Sequence, residues 1–264
     1  MTSVRLRLLI LALTPLIVLM PLLLILGMSR WTADYDKVLI ANVESELKIA
    51  SQYLSRLLGQ TGNELDAVAR SVEFSRWLNR PGADQVAFFT DTRERLGLDF
   101  LEFLPMETAV EAGQNWPVIA QATRGISGAE IDVFSNARLA TLEDALAVRA
   151  KVPLIDTPAA EPTNREIEDR GMVVHAASPV NLSGTQGVLV GGMLLNRNLD
   201  FIDTINDLVY LNAVTGGHRQ GTATLFLDDL RISTNVRLFE DVRALGTRVS
   251  AEVREAVLID GRTW

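Results

Sequence analysis

Hydrophobicity changes character along this chain, and its first stretch is continuous. From Leu8 to Met28 the side chains are mostly Leu, Ile, Val, Met and Ala, with no charge between Arg7 and Arg30. At 1.5 Å rise per residue, about twenty such residues cover the roughly 30 Å hydrocarbon core of a bilayer. Pro15 and Pro21 would break a soluble helix but are tolerated in a spanning one. Arg5 and Arg7 before the run, with Asp34 and Asp36 after it, predict a cytoplasmic N-terminus and a periplasmic chain beyond Trp31. A cleaved signal peptide begins in the same way, yet this core is too long and Leu26-Gly27-Met28-Ser29-Arg30 offers no A-x-A site. Residues 1–30 are therefore expected to form a cytoplasmic tip and a transmembrane signal anchor in the inner membrane.

The pattern then turns amphipathic. Leu39, Val43, Leu47, Ala50, Leu54, Leu57, Leu65, Val68 and Val72 recur at helical spacing, opposite Lys37, Glu44, Lys48, Gln52 and Arg56. An unbroken helix from Ala33 to Leu78 would be roughly 70 Å long, with a bend or break expected around Gly59 and Gly62. Its distal half is expected to pack on a sheet, and its proximal half to form a homodimer seam. Asn79-Arg80-Pro81-Gly82 ends it, and a second helix is predicted from Ala83 to Leu96.

Beyond this the period shortens. Leu98–Leu104 and Ala129–Phe134 read as strands, with a Gly-containing loop at Ala120–Gly128 between them. A helix capped by Thr141 is expected over Leu142–Ala150, followed by a Pro-rich excursion without regular structure from Val152 to Arg170. Gly171–Ser178 and Gly187–Leu195 read as a hairpin, the second strand central to its sheet. Asn198 caps a connector helix at 198–211. After Gly216-Gly217 come Thr222–Leu227, the Asp228-Asp229 turn, strands at Arg231–Arg237 and Ala244–Val249, and a helix capped by Ser250. The fold class is α+β, with antiparallel sheets flanked by helices.

Charge narrows the partners. Three of the 25 basic residues and none of the 33 acidic ones precede Trp31, so the outer part carries 22 − 33 = −11. That surface repels phosphate backbones and excludes nucleic acid. Cysteine is absent, so stability comes from the core, and two histidines make a zinc site an unpromising expectation. There is no P-loop, G-x-S-x-G, H-E-x-x-H or dinucleotide fingerprint, and neither catalysis, a cofactor nor a metal is expected.

Thr222–Trp264, with R-I-S-T-N-V at Arg231–Val236 and G-T-R-V-S at Gly246–Ser250, resembles the opening of a Cache-type extracellular sensor module. Gly171–Asp203 resembles the end of a membrane-distal Cache module. Together with the long helix, these stretches resemble the double Cache input half of a bacterial two-component sensor histidine kinase. The resemblance implies tandem PAS-like modules, the distal one (31–197, including the long helix) binding a small molecule and the proximal one (212–264) incomplete. It also implies that the chain is an N-terminal fragment. A chemotaxis transducer or cyclic-nucleotide enzyme as output, or a ligand-free structural module, are the alternatives. The family's amino-acid-binding Arg-x-Trp-Tyr run has no counterpart, since Arg76-Trp77 has neither the spacing nor the tyrosine.

Three residues are candidates for ligand contact. Arg124, flanked by Gly125 and Gly128, could close over a carboxylate ligand. Asp99 and His175 are polar residues inside apolar strands and need partners if buried. Asp228-Asp229 reads as a solvated turn more readily than as a cation site.

Overall fold

The computed structural model describes residues 13, 19–20, 41–79, 84–182, 184–210, 214–215, 218–219, 221–239 and 242–264. The chain divides into two compact units, Met1–Ser51 and Gln52–Trp264. In the first, every described residue is helical. Almost all of the expected anchor lies outside the described residues, and among the described residues no helix is long and apolar enough to cross a membrane.

The second unit starts with helix α1 (52–69), which runs through Gly59 and Gly62 without a break. The break comes later, at Ser71, whose hydroxyl accepts from the Phe74 N–H and so starts α2 (Val72–Leu78). Helix α3 (Asp84–Leu96) leads into β1 (Phe100–Pro105). Two short helices, α4 (Met106–Ala112) and α5 (Pro117–Thr123), separate it from β2 (Gly128–Phe134). After β2 come α6 (Asn136–Leu142) and α7 (Asp144–Ala150), where one helix was expected. Ser135 caps α6, and Glu143 turns extended to end it, so Thr141 lies inside a helix and caps nothing.

The Pro-rich stretch carries only a minimal ladder, β3 (Val152–Pro153) on β4 (Ile167–Glu168). The hairpin of β5 (Gly171–Leu182) and β6 (Thr185–Leu194) is longer than the pattern indicated, and Pro179 lies within β5. It is tolerated because β2 pairs only as far as Ala177, which leaves Pro179 on an edge where no N–H is required. The sheet order is β1-β6-β5-β2, all antiparallel, so β6 is central as expected.

Each strand serves two cores. In β5, Val173 and Ala177 face the helices α4 to α7, while Ala176 and Val180 face α1, α2 and α3. Gly62 of α1 packs close against the start of β2, since a Cβ there would lie 3.1 Å from the Gly128 backbone. One turn on, Asp66 accepts hydroxyl hydrogen bonds from Ser178 of β5 (2.9 Å) and Ser127 (2.5 Å), pinning helix to sheet.

Asn198 caps α8 (Leu199–Val209) as expected. The remaining strands are short: β7 (Val214–Thr215) with β8 (His218–Arg219), β9 (Thr224–Leu227) with β10 (Leu230–Thr234), and β11 (Arg237–Phe239) with β12 (Val242–Arg243). The stretch 244–249, expected as a strand, makes only an isolated bridge between Leu230 and Arg248. It is instead occupied by the Pro-rich stretch, which works as a strap. The Ile155 N–H donates to the Gly246 carbonyl, the Arg248 N–H to the Thr157 hydroxyl, and the Ala251 N–H to the Ala159 carbonyl. Ser250 caps α9 (Ala251–Arg254), which continues as a π-helical stretch, Glu255–Ile259.

Ion pairs hold the strap. Glu168, buried, takes Arg165 at 2.7 Å and Arg170 at 2.8 Å, and Arg170 reaches Asp228 at 2.7 Å. Burial alone would raise the Glu168 pKa, but its hydrogen bonds and charge contacts with Arg170 and Arg165 outweigh that and hold it below the usual carboxylate range. Asp66 is likewise lowered, with burial overcome by Ser127, Ser178 and Arg70. Both groups are depressed in the folded state, so the unfolded chain takes up protons first as pH falls. Their stabilisation is full above the ordinary carboxylate range and is lost as pH drops through the folded values. The urea midpoint should therefore fall between about pH 5 and pH 3. Glu168→Gln combined with Asp66→Asn should flatten that fall, and an unchanged slope would contradict the assignment.

Candidate functional site

The face of the sheet covered by α4 to α7 is mixed in character. Alternation along β2 turns Glu130, Asp132 and Phe134 toward the same side as His175, because Glu130 pairs with His175 and Asp132 with Val173. His175 is completely buried, and its Nδ1 lies 2.6 Å from the Asp132 carboxylate. Three rings surround it. Phe134 stands edge-on at 5.0 Å between centroids, Trp116 edge-on at 5.6 Å, and Phe100 tilted at 6.3 Å. Trp116, half-exposed in the connection from α4 to α5, also packs on Phe134 at 4.5 Å. The imidazole Nε2 lies inside this cage without a hydrogen-bond partner.

Gly192 makes room for the cage. It pairs with both Phe100 and His175, and a Cβ there would meet the Phe100 ring at 2.8 Å and the Val174 carbonyl at 2.0 Å. Glu130 is occupied structurally, since its carboxylate accepts the Val118 N–H at 2.6 Å and supplies the cap that Trp116 cannot give α5. Arg138 of α6 lies 5.9 Å from the Phe134 ring centre and is paired with Glu102. No group of three or more potential metal ligands occurs among the described residues.

The three sequence candidates are not brought together. His175 lies at the centre of the cage. Asp99 is held elsewhere, by both terminal nitrogens of Arg149 and by the Leu194 N–H at 2.7 Å, so it is a clamp between α7 and the end of β6. Arg124 is exposed and follows a helix, not a loop, with its Nε donating to the Ala120 carbonyl at 3.1 Å. A solvated guanidinium tied to its own helix end is poorly placed to close over a ligand. Asp228 does sit in a turn, with φ of 53°, but Asp229 is buried against Arg248 and is not solvated. Sequence reasoning missed Asp132, Phe134 and Trp116. The first two were signalled by the period-two spacing of Glu130, Asp132 and Phe134, whereas Trp116 had no such signal.

Residues 193–264 match the family model described as Single cache domain 3. The Cache-like stretch Thr222–Trp264 lies inside that match, which also takes in the end of β6 and α8. None of the curated proteins matches the chain. Among solved structures, the chain is similar to the periplasmic domain of Vibrio cholerae LuxQ, with 15% identity and a TM-score of 0.41 over 78% of this chain and 82% of that one.

Proposed function

We propose that this chain is the extracytoplasmic input region of a membrane receptor. In this reading, residues 8–28 anchor it in the cell membrane and residues beyond Trp31 face the periplasm. A small molecule is sensed on the sheet face covered by α4 to α7, and the signal passes across the membrane to a cytoplasmic output domain, a histidine kinase. The observation that carries the reading is the Cache match over residues 193–264, in a chain that opens with a long uncharged run. The buried imidazole with an open nitrogen supports the covered face as the sensing side, because an unpartnered buried polar atom is a standing cost that a ligand would remove. Val43 and Leu47, exposed one helical turn apart, support a seam between two copies.

The test is topological first. A phosphatase reporter that works only after export, fused at Gly82 in the full chain, should be active, and it should lose activity when Arg5 and Arg7 are changed to Glu. Activity only from a cytoplasmic reporter at the same position would overturn the orientation and with it the sensor reading.

A further inference from the structure

The identity of the atom that His175 leaves open fixes the kind of group that can meet it. A carboxylate only accepts hydrogen bonds, so the imidazole nitrogen 2.6 Å from Asp132 carries the proton. In the neutral imidazole the other nitrogen, Nε2, is then a bare lone pair, and it is fully buried without a donor. Its surroundings repeat that polarity. Asp132 and Glu130 of β2 put two carboxylates on the same face of the sheet as His175. Arg138, 5.9 Å from the Phe134 ring centre, is paired with Glu102 of β1, and Arg149 of α7 is paired with Asp99. Arg138 also leaves Nε buried without a partner, but Arg149 does the same in its own ion pair, so this accompanies the pairing and is not particular to the cage.

From this we infer that the cage around His175 takes a small organic ammonium, whose N–H donates to His175 Nε2 while its charge faces the carboxylates of Asp132 and Glu130. The inference rests on the reading that this face is the sensing side, and it reverses the expectation of a carboxylate ligand held by Arg124. Entry would pass Trp116, the half-exposed wall of the cage.

Three probes of one shape and different head group decide it: benzylamine, benzyl alcohol and benzoate. Each is titrated into the full chain in detergent, with nitrogen NMR on labelled histidine as the readout. His175 and His218 are the only histidines, so the spectrum holds two residues and His218 serves as control. In the absence of probe, His175 should show the tautomer with the proton on Nδ1. Benzylamine should then shift Nε2 saturably, about tenfold or more tighter than benzyl alcohol, with benzoate weakest. Asp132→Asn should weaken benzylamine binding, with His175 losing its tautomer preference. Benzoate or benzyl alcohol binding as tightly as benzylamine would overturn the ligand class and leave the site standing. If none of the three moves His175, both the class and the site are overturned.

Discussion

Gly192→Ala should be among the most damaging single substitutions in the chain, costing about 3 kcal/mol, the upper part of the usual range for overpacking. Only two contacts are needed to see why. The added methyl would lie 2.0 Å from the Val174 carbonyl oxygen, which is backbone of the neighbouring strand and cannot rotate away, and 2.8 Å from the Phe100 ring. Relief requires β6 to move off β5, which would separate the two central strands. Gly59→Ala is the matched control. Nothing lies within 4 Å of that position, and it sits in the interior of α1, so the methyl should stabilise by about 0.5 to 1 kcal/mol. Urea unfolding of both variants checks the pair. Equal effects of the same sign would show that the close packing at Gly192 is not what fixes the sheet.

The second large effect is expected at Arg248. Its guanidinium donates to Asp229 through Nε at 2.9 Å and a terminal nitrogen at 2.5 Å, and both side chains are almost wholly buried. Arg248→Met would leave the Asp229 carboxylate buried without compensation, a loss of about 3 to 5 kcal/mol. The third nitrogen contact, to the Glu161 carbonyl at 2.5 Å, would go as well and loosen the strap. The double variant Arg248→Met with Asp229→Leu should recover much of the loss, since a buried ion pair replaced whole by apolar groups is often neutral. Hydrogen exchange at Ile155 and Ala251 reports strap opening directly. A double variant no more stable than Arg248→Met alone would mean that the pair contributes through its own attraction, not through the penalty of being broken.

Much of the architecture could be read from local patterns because local patterns produced it. The central position of β6 followed from GVLVGGMLL, apolar on both faces, and the start of α8 followed from Asn198, which does cap it. Element boundaries failed where a distant residue set them. The loop expected at Ala120–Gly128 is partly helix, since Pro117 stands at its first position and Glu130 reaches back from β2 to cap it. Asp99 was rightly singled out as needing a partner, but that partner is Arg149, fifty positions on, and no spacing rule connects them. The glycine neighbours that draw attention to Arg124 confer conformational freedom and do not place a side chain. His175 could be found because a lone polar residue in an apolar strand is conspicuous. Its company could not, because strand register brings Asp132 to it and a connector brings Trp116.

The strap also sets an order of events during synthesis. Arg248 reaches back across 87 residues to Glu161 and 91 residues to Thr157, whereas β5 and β6 close on each other across a tight hairpin. Short-range pairing forms quickly and long-range pairing late, so the four-stranded sheet can assemble while the strap still hangs open on the nascent chain. Until Gly246 and Arg248 emerge, Ile155 and Glu161 have nothing to close on, and a protease meeting the chain in that interval should cut between Val152 and Arg170. A ribosome-stalled chain ending before Gly246 should thus be nicked in the strap while its sheet resists, and the completed chain should resist at both places.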